Sequence, residues 1–538
     1  MLPCVLFEDE HLLVVNKPPG WNTHAPSPFA GEGIYDWLKH REPRWASLAI
    51  VHRLDKDTSG VLVFGKTPLA NRALTEQFSS RAVQKVYLLV TDRPPSRPRW
   101  RVCSRIARAG DRYASGARGE PAETRFERVL GPTGVGDPAR WPSGCVLVRA
   151  EPLTGRTHQV RVHAAESGIP VLGDALYGGT PFPRVCLHAA EIAFRHPATK
   201  EPVSFRAPVD FTADARLALR RAFIEPDATD AHRLLHGASD GQPGGYLDRL
   251  GAHLLWQWKT ELAGVNREEL ARWAQTLGCR SVYHRPLRRA GADAASGEVA
   301  PERLLGEAAP ERFVIRENGV RFELSFSAGG AVGLFLDQRD NRRRLLTGHV
   351  AAGFELWSSR AEAAGRAVLN TFAYTGGFSV CAALAGARTT SVDLSRRWLE
   401  WGRRNFALNN LDAGAHEFVP GDVFDQLKRL AKKGRMFDVV LLDPPTFSRS
   451  RVSGVFRAEA DYGRLVESAL RVLKPGGVLF ASTNAAGWAA ADFLRTVRAA
   501  VRDAGRRIAR EHYAPQPPDF PVSRAEPAYL KTVWLRIE

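Results

Sequence analysis

Residues 367–393, AVLNTFAYTGGFSVCAALAGARTTSVD, decide the fold of the C-terminal part of the chain. The apolar run Ala367–Phe372 predicts a buried strand. It breaks at Gly376-Gly377, continues into an apolar helical stretch, and gives way to a second buried strand, Thr389–Val392. Outward from this unit the alternation persists. An amphipathic helix is predicted over Arg396–Asn409, strand-like Glu417–Val419 follows, and then come a strand at Phe437–Leu442, a helix at Tyr462–Leu473 and a strand at Gly477–Ser482. A final pair of strands near His512 and Thr532–Ile537 completes the pattern. Buried strands alternating with helices imply a parallel, doubly wound, Rossmann-like α/β sheet.

Ligands of such sheets bind beyond the carboxyl ends of the strands, and that is where the polar residues fall. The first strand runs into Asn370, Phe372, Tyr374, Thr375, Gly376 and Gly377, a strand–turn–helix loop suited to a nucleotide. Asp393 ends the next strand, 17 residues past Gly376, where an acid suits two ribose hydroxyls. Gly421-Asp422-Val423 follows the third strand and could grip an adenine, and Asp443-Pro444-Pro445-Thr446-Phe447 follows the fourth. On these residues alone a dinucleotide site remains the alternative.

The first 211 residues have a different grain. Short strands broken by Gly and Pro are predicted at Leu12–Asn16, Gly60–Phe64, Val83–Thr91 and Cys145–Glu151, with helices at Pro68–Ser79 and Thr157–Ser167, a mainly antiparallel α+β pattern. A helical connector, Ala213–Phe223, leads to a small α/β segment over 226–345. That segment contains an Ala/Gly/Glu-rich stretch, Arg289–Pro310, which reads as a flexible insertion. Three domains are therefore expected, 1–211, 226–345 and 346–538, in keeping with a length of 538 residues.

Composition narrows the partners. A formal net charge of +17 points to a polyanion, nucleic acid before an anionic membrane surface. No run of about 18 apolar residues could span a bilayer, and the start, MLPCVLFEDE, lacks the basic head of a signal peptide. The six cysteines, at 4, 103, 145, 186, 279 and 381, form no CxxC pair, which argues against zinc and disulfides and suits a reducing cytoplasm. His158 and His163 have no acid to complete a metal site.

Taken alone, Asp55 in His52-Arg53-Leu54-Asp55-Lys56-Asp57-Thr58-Ser59-Gly60 would cap a turn. Four separated motifs change that reading. They are Lys17-Pro18-Pro19-Gly20, this Asp55 segment, Lys85-Val86-Tyr87, and Leu153–His163 followed by Gly173-Asp174-Ala175-Leu176-Tyr177-Gly178. In order and spacing the series resembles the RluA-type RNA pseudouridine synthase family over about residues 5–208. The resemblance implies that Asp55 is the catalytic aspartate, that Tyr87 stacks on the target base and helps proton transfer at C5, and that Arg161 pairs with Asp55. It implies no cofactor. A buried Arg would keep such a carboxylate ionised. Arg53 would enter the RNA stack vacated by the flipped base, or touch phosphate, and Arg156 and His158 would face the RNA.

The series NTFAYTGGF…SVDLS…GDVF…DPPTF resembles class I RNA methyltransferases of the ribosomal RNA large-subunit group. Gly333–Asn341, Arg233–Gly241 and Tyr246–Arg249 extend the likeness over about 230–538. The resemblance implies S-adenosylmethionine at the residues named above and ribosomal RNA as substrate. Methylation of cytosine C5 needs a Cys nucleophile, and neither Leu479–Asn484 nor the Asp443 motif supplies one. DPPTFS, with Trp398-Leu399-Glu400-Trp401 and Arg403-Arg404-Asn405, is most similar to the guanine-N7 branch, with Phe447 stacking on the base and Asp443 positioning it. An exocyclic amine is the rival acceptor, although such enzymes usually carry Tyr where this chain has Thr446. In the middle segment, Trp256, Trp258 or Tyr283 could stack on a base, although aromatics in strands are more often core.

Overall fold

The computed structural model describes residues 2–31, 33–129, 134–259, 266–287, 299–329, 332–450 and 452–538. Their contacts group into two compact units that divide at Glu225/Pro226, with two short segments, Ser27–Gly31 and His40–Ala46, belonging to the second.

The first unit is built on one sheet of eleven described strands. Its path runs Val5–Glu8, Leu12–Lys17, Ser59–Gly65, Leu187–Arg195, Gln84–Thr91, Val146–Pro152, Glu120–Val129, Arg99–Ala109 and Arg112–Ser115. Among these neighbours the pair Ser59–Gly65 with Leu187–Arg195 is parallel and the rest are antiparallel. Ser59–Gly65 is buried throughout, which explains its unbroken apolar run. Pro68–Ser79 is helical over the predicted span. Thr67 caps it by accepting from the Ala70 N–H, and Pro68 fills the first turn. The predicted helix at Thr157–Ser167 starts later, at Gln159, because His158 is left-handed, with φ 57°.

In the second unit a seven-stranded sheet runs in the order Glu417–Pro420, Arg388–Asp393, Ala367–Thr371, Phe437–Leu442, Leu473–Thr483, Lys531–Ile537, Ile508–Tyr513. The first five strands are parallel, and Lys531–Ile537 is antiparallel to both its neighbours. The fold is thus multidomain, a mainly antiparallel α+β unit followed by a unit built on a Rossmann-like α/β sheet. The helix predicted at Tyr462–Leu473 lies instead at Ala458–Leu470, since the fifth strand takes residues from Leu473 onward.

Ahead of this sheet, Ala231–His236, Gly245–Leu250, His253–Trp258, Ser281–Pro286 and Glu302–Gly306 form a five-stranded sheet, and Phe313–Glu317 pairs with Val320–Leu324. One apolar core joins that hairpin to the large sheet, through Ile315, Phe322 and Leu324 on one side and Val368, Val439 and Phe480 on the other. The stretch read as a flexible insertion, Arg289–Pro310, contains a strand. Its residues 289–298 lie outside the described residues, but Glu302–Gly306 is a strand paired with Ser281–Pro286.

Gly60 marks where the first sheet tolerates no side chain. Its φ is +121°, and a Cβ would lie 2.2 Å from the Ala189 carbonyl oxygen across the parallel pair. Gly60→Ala is expected to cost about 2–4 kcal/mol through backbone strain and overpacking. Urea unfolding of the variant would show it as a lower midpoint with an unchanged slope.

Candidate functional sites

In the first unit, the Asp55 loop precedes the Ser59–Gly65 strand and is clamped from upstream. Fully buried Lys17 donates from Nζ to the carbonyls of Pro18 (2.9 Å), Trp21 (2.6 Å) and Lys56 (3.0 Å). The Gly20 N–H also reaches the Lys56 carbonyl, at 2.9 Å, and the Thr23 hydroxyl both donates to the Leu54 carbonyl and accepts from its N–H. The Lys17-Pro18-Pro19-Gly20 motif thus holds the backbone after Asp55, and Thr23 holds it before.

Asp55, Tyr87, His158, Arg161, Arg53 and Arg156 all line one open cavity of about 430 Å³. Tyr87 arrives from the strand Gln84–Thr91, opposite Ala189 and Ala150. Burial, with Asp55 nearby, raises its hydroxyl pKa and keeps the phenol protonated. Each Asp55 oxygen faces a nitrogen at 4.0 Å, Oδ1 toward His158 Nε2 and Oδ2 toward Arg161 Nη1. Arg161 stands at ion-pair distance from Asp55, but its close partner is another acid. It donates from Nε and Nη2 to Asp174, at 2.6 and 2.7 Å, and both side chains are buried. The Asp174 partnership is not visible in the motif series, where Gly173-Asp174 marks only the next turn. Arg53 is exposed and donates to the Thr157 hydroxyl at 2.7 Å. Arg156 donates to the Pro121 carbonyl at 3.2 Å and reaches Glu120 at 3.3 Å. His163 is a core residue, bonded to Thr124 (2.8 Å) and Ser104 (3.0 Å).

The second site lies beyond the carboxyl ends of the parallel strands. Phe372 and Tyr374 both have positive φ, 55° and 48°, although neither is Gly. This strain bends the loop so that the Tyr374 N–H meets Asp393 Oδ2 at 2.8 Å, while Asp393 Oδ1 accepts from the Ser395 N–H at 2.8 Å. Burial raises the Asp393 pKa. Gly376, left-handed at φ 75°, precedes the helix Gly377–Ala385, and a Cβ on Gly377 would press Leu334 at 3.1 Å. Two predicted ligand residues instead brace the loop. The Asn370 amide donates to the Ser379 hydroxyl (2.9 Å), and the Thr375 hydroxyl donates to the Gly333 carbonyl (2.6 Å). Asn370 Oδ1, by contrast, is buried and has no hydrogen-bond partner among the described residues. Asp422 caps the helix that begins at Val423 by accepting from the Asp425 N–H at 3.1 Å, and it accepts from the Ser453 hydroxyl at 2.6 Å. An acid, a strained turn, a glycine-fronted helix and an orphaned carbonyl oxygen at adjacent strand ends fit a nucleoside ligand with vicinal hydroxyls.

Asp443 ends the fourth strand, next to Pro444. Its Oδ1 accepts from Gln338 Nε2 at 3.1 Å, and Gln338 also donates to the Ser482 hydroxyl at 2.8 Å. Burial pushes the Asp443 carboxyl up to about 6, Asp337 adds to the rise, and the Ser482 and Gln338 bonds oppose it. Asn341 fixes Gln338 by donating to its Oε1 at 2.7 Å, a network that the Leu336–Asn341 segment hides until folded. Phe447 is half exposed, with the Arg457 guanidinium 5.7 Å from its ring. Of the middle-segment aromatics, Trp256 and Tyr283 are buried, so they cannot offer a face. Trp258 is half-buried and stacks on His284 at 5.2 Å.

Residues 11–166 match the family model for RNA pseudouridylate synthase, and residues 271–536 match that for S-adenosylmethionine-dependent methyltransferase. A ribosomal RNA large subunit methyltransferase of Deinococcus radiodurans is 37% identical over 334 residues, 60% of this chain and 78% of the relative. Ribosomal RNA large subunit methyltransferase I of Klebsiella pneumoniae is 34% identical, over 59% of this chain and 76% of its own length. The solved structure of SMU.776 in complex with SAH is 28% identical with a TM-score of 0.51, covering 64% of this chain and 87% of that one.

Because Arg161 and Asp174 are withdrawn from water together, Asp174→Ala is expected to leave an unpaired buried guanidinium and to cost about 3–5 kcal/mol. Chemical unfolding would register it, and a loss under 1 kcal/mol would contradict the pairing.

Proposed function

Since this chain belongs to the ribosomal RNA large-subunit methyltransferase family and carries an RNA pseudouridylate synthase domain ahead of it, we propose that it is a bifunctional RNA-modifying enzyme. One unit isomerises uridine to pseudouridine, and the other methylates a base, guanine N7, in large-subunit ribosomal RNA. The synthase reading rests on Asp55, Tyr87 and Arg161 meeting in one cavity. Isomerisation breaks the N1–C1′ bond, turns the uracil, forms the C5–C1′ bond and moves the C5 proton, so atoms balance without a cofactor. Asp55 would act at the sugar, and Tyr87, held as a neutral phenol, would stack on the base and pass the proton.

S-adenosylmethionine, when bound, supplies an electrophilic methyl group. The loop Phe372–Gly377, Asp393 and the Asp422–Val423 turn would hold it, Phe447 would stack on the acceptor base, and Asp443 would orient it. The cysteines favour a ring nitrogen over C5. Cys381 is buried in the helix Gly377–Ala385, and burial raises its thiol pKa, so it is no nucleophile. Guanine N7 already carries its lone pair in the plane of the ring, and orientation suffices.

Purified protein incubated with S-adenosylmethionine and unmodified ribosomal RNA should yield both pseudouridine and 7-methylguanosine by nucleoside mass spectrometry. A different methylated nucleoside would replace the N7 assignment, and the absence of either product would end the bifunctional reading. Asp55→Ala should abolish isomerisation and leave methylation intact.

If the Asp443 carboxylate orients the base, methylation should fall as pH drops through about 6, the pKa set by burial. Gln338 donates to the charged form and so holds that value down. Gln338→Leu should therefore move the acid limb upward by about one pH unit. A pH–rate profile in which both proteins share the same limb would refute the role.

A further inference from the structure

The position of His158 is unusual on two counts. It sits at the start of the helix Gln159–Glu166 with φ 57° and ψ 16°, a conformation costly for a residue with a side chain, and strain of this kind collects at functional sites. Its side chain is also tied at one nitrogen and directed at the other. Nδ1 is 2.8 Å from the Tyr177 hydroxyl, while Nε2 faces Asp55 Oδ1 at 4.0 Å.

The hydrogens can be assigned. The Tyr113 backbone N–H donates to the Tyr177 oxygen at 3.0 Å, so that oxygen is already an acceptor. Among the described residues the phenolic proton then has one acceptor in reach, His158 Nδ1. A nitrogen that accepts carries no proton, so in the neutral ring the proton resides on Nε2, the nitrogen turned toward a carboxylate. Tyr177 is itself fixed, with the Arg161 guanidinium 5.0 Å from its ring, and Arg161 is locked to Asp174. The charged groups around His158 are Asp55, Asp57, Asp174 and Arg161. Burial, the largest influence, lowers its pKa and favours the neutral form.

We propose that His158 is a positioning residue for Asp55. A relay from the Tyr113 N–H through the Tyr177 hydroxyl fixes its tautomer, and its Nε2–H and the Arg161 guanidinium hold the two Asp55 oxygens from opposite sides once RNA closes the cavity. The relay assigns Tyr177, three residues past Asp174, a purpose that its exposure alone would not suggest. The effect on turnover rests on the pseudouridine synthase reading; the tautomer does not.

Two measurements separate these. Nitrogen NMR of the free protein labelled at histidine should show His158 as the neutral Nε2–H tautomer near neutral pH, and Tyr177→Phe should release it to a mixture. An Nδ1–H tautomer in the wild type would overturn the relay whatever the activity. In steady-state assays of tritium release from RNA labelled at uridine C5, His158→Ala should lower kcat about 10- to 100-fold with KM within twofold. His158→Gln, whose amide N–H reaches about as far as Nε2, should recover most of the rate, and Tyr177→Phe should lose several-fold. Melting temperatures identify a variant that fails to fold, and Tyr177→Phe, which removes one oxygen, then carries the test. If KM rises and kcat does not fall, His158 is an RNA contact and the proposal is wrong; equal losses for Ala and Gln also overturn it. A wild type inactive on every uridine-labelled RNA, with the Nε2–H tautomer present, would instead overturn the synthase reading.

Discussion

A guanidinium taken out of water must find a carboxylate, because the effective cost of burying an unpaired charge is several kcal/mol. Arg161, Arg339 and Arg342 are all buried, and each meets one acid through two nitrogens. Arg161 takes Asp174 at 2.6 and 2.7 Å, Arg339 takes Asp519 at 2.8 and 2.5 Å, and Arg342 takes Glu317 at 2.6 and 2.7 Å. Bidentate geometry fixes orientation as well as distance. The functional groups hang from these pairs. Arg161 reaches from Asp174 toward Asp55 within the first unit. In the second, Arg339 and Arg342 pin the helix Arg339–Thr347, whose preceding residue, Gln338, holds Asp443.

Both sites treat a carboxylate in the same way. Asp55 lies in the loop ahead of the Ser59–Gly65 strand and Asp443 just past the Phe437–Leu442 strand, and each is approached by groups from distant segments. They differ in surroundings. Asp55 opens onto a cavity sized for a nucleotide, with arginines at its edge. Asp443 is half-buried beside Asp337, and its carboxyl is pushed up to about 6. The first arrangement suits a group that must reach a sugar carbon. The second suits a group whose charge state governs how a base is held, which is why its chemistry should be more sensitive to acid.

Much of the architecture was legible because it is local. The helix Pro68–Ser79 carries its own cap and proline, and the strand Phe437–Leu442 is an unbroken apolar run, so both fall where periodicity puts them. Local signals failed where tertiary packing overruled them. The helix expected to reach Leu473 stops at Leu470 because Leu473 pairs with Phe437 in the sheet. Glu302–Gly306, polar enough to read as insertion, is a strand because Ser281–Pro286 offers it an open edge. Trp256 and Tyr283, which could have stacked on a base, are core residues, the commoner role of strand aromatics, in strands buried on both faces around them.

The sequence by itself determined the two family likenesses. Short motifs with fixed spacing carry them: Asp55 in a loop, Tyr87 in a strand and Arg161 in a helix of the first unit, and Gly376, Asp393 and Asp443 near strand ends whose positions the hydrophobic pattern already sets. Only the tertiary structure decided the partners that tune them. That Arg161 belongs first to Asp174, that Gln338 reaches Asp443 across 105 residues, and that His158 turns Nε2 to Asp55 depend on long-range closure of the chain. The physical reason is that motif spacing specifies backbone geometry over a few residues, whereas a buried charge takes whatever partner the completed fold brings within hydrogen-bond reach.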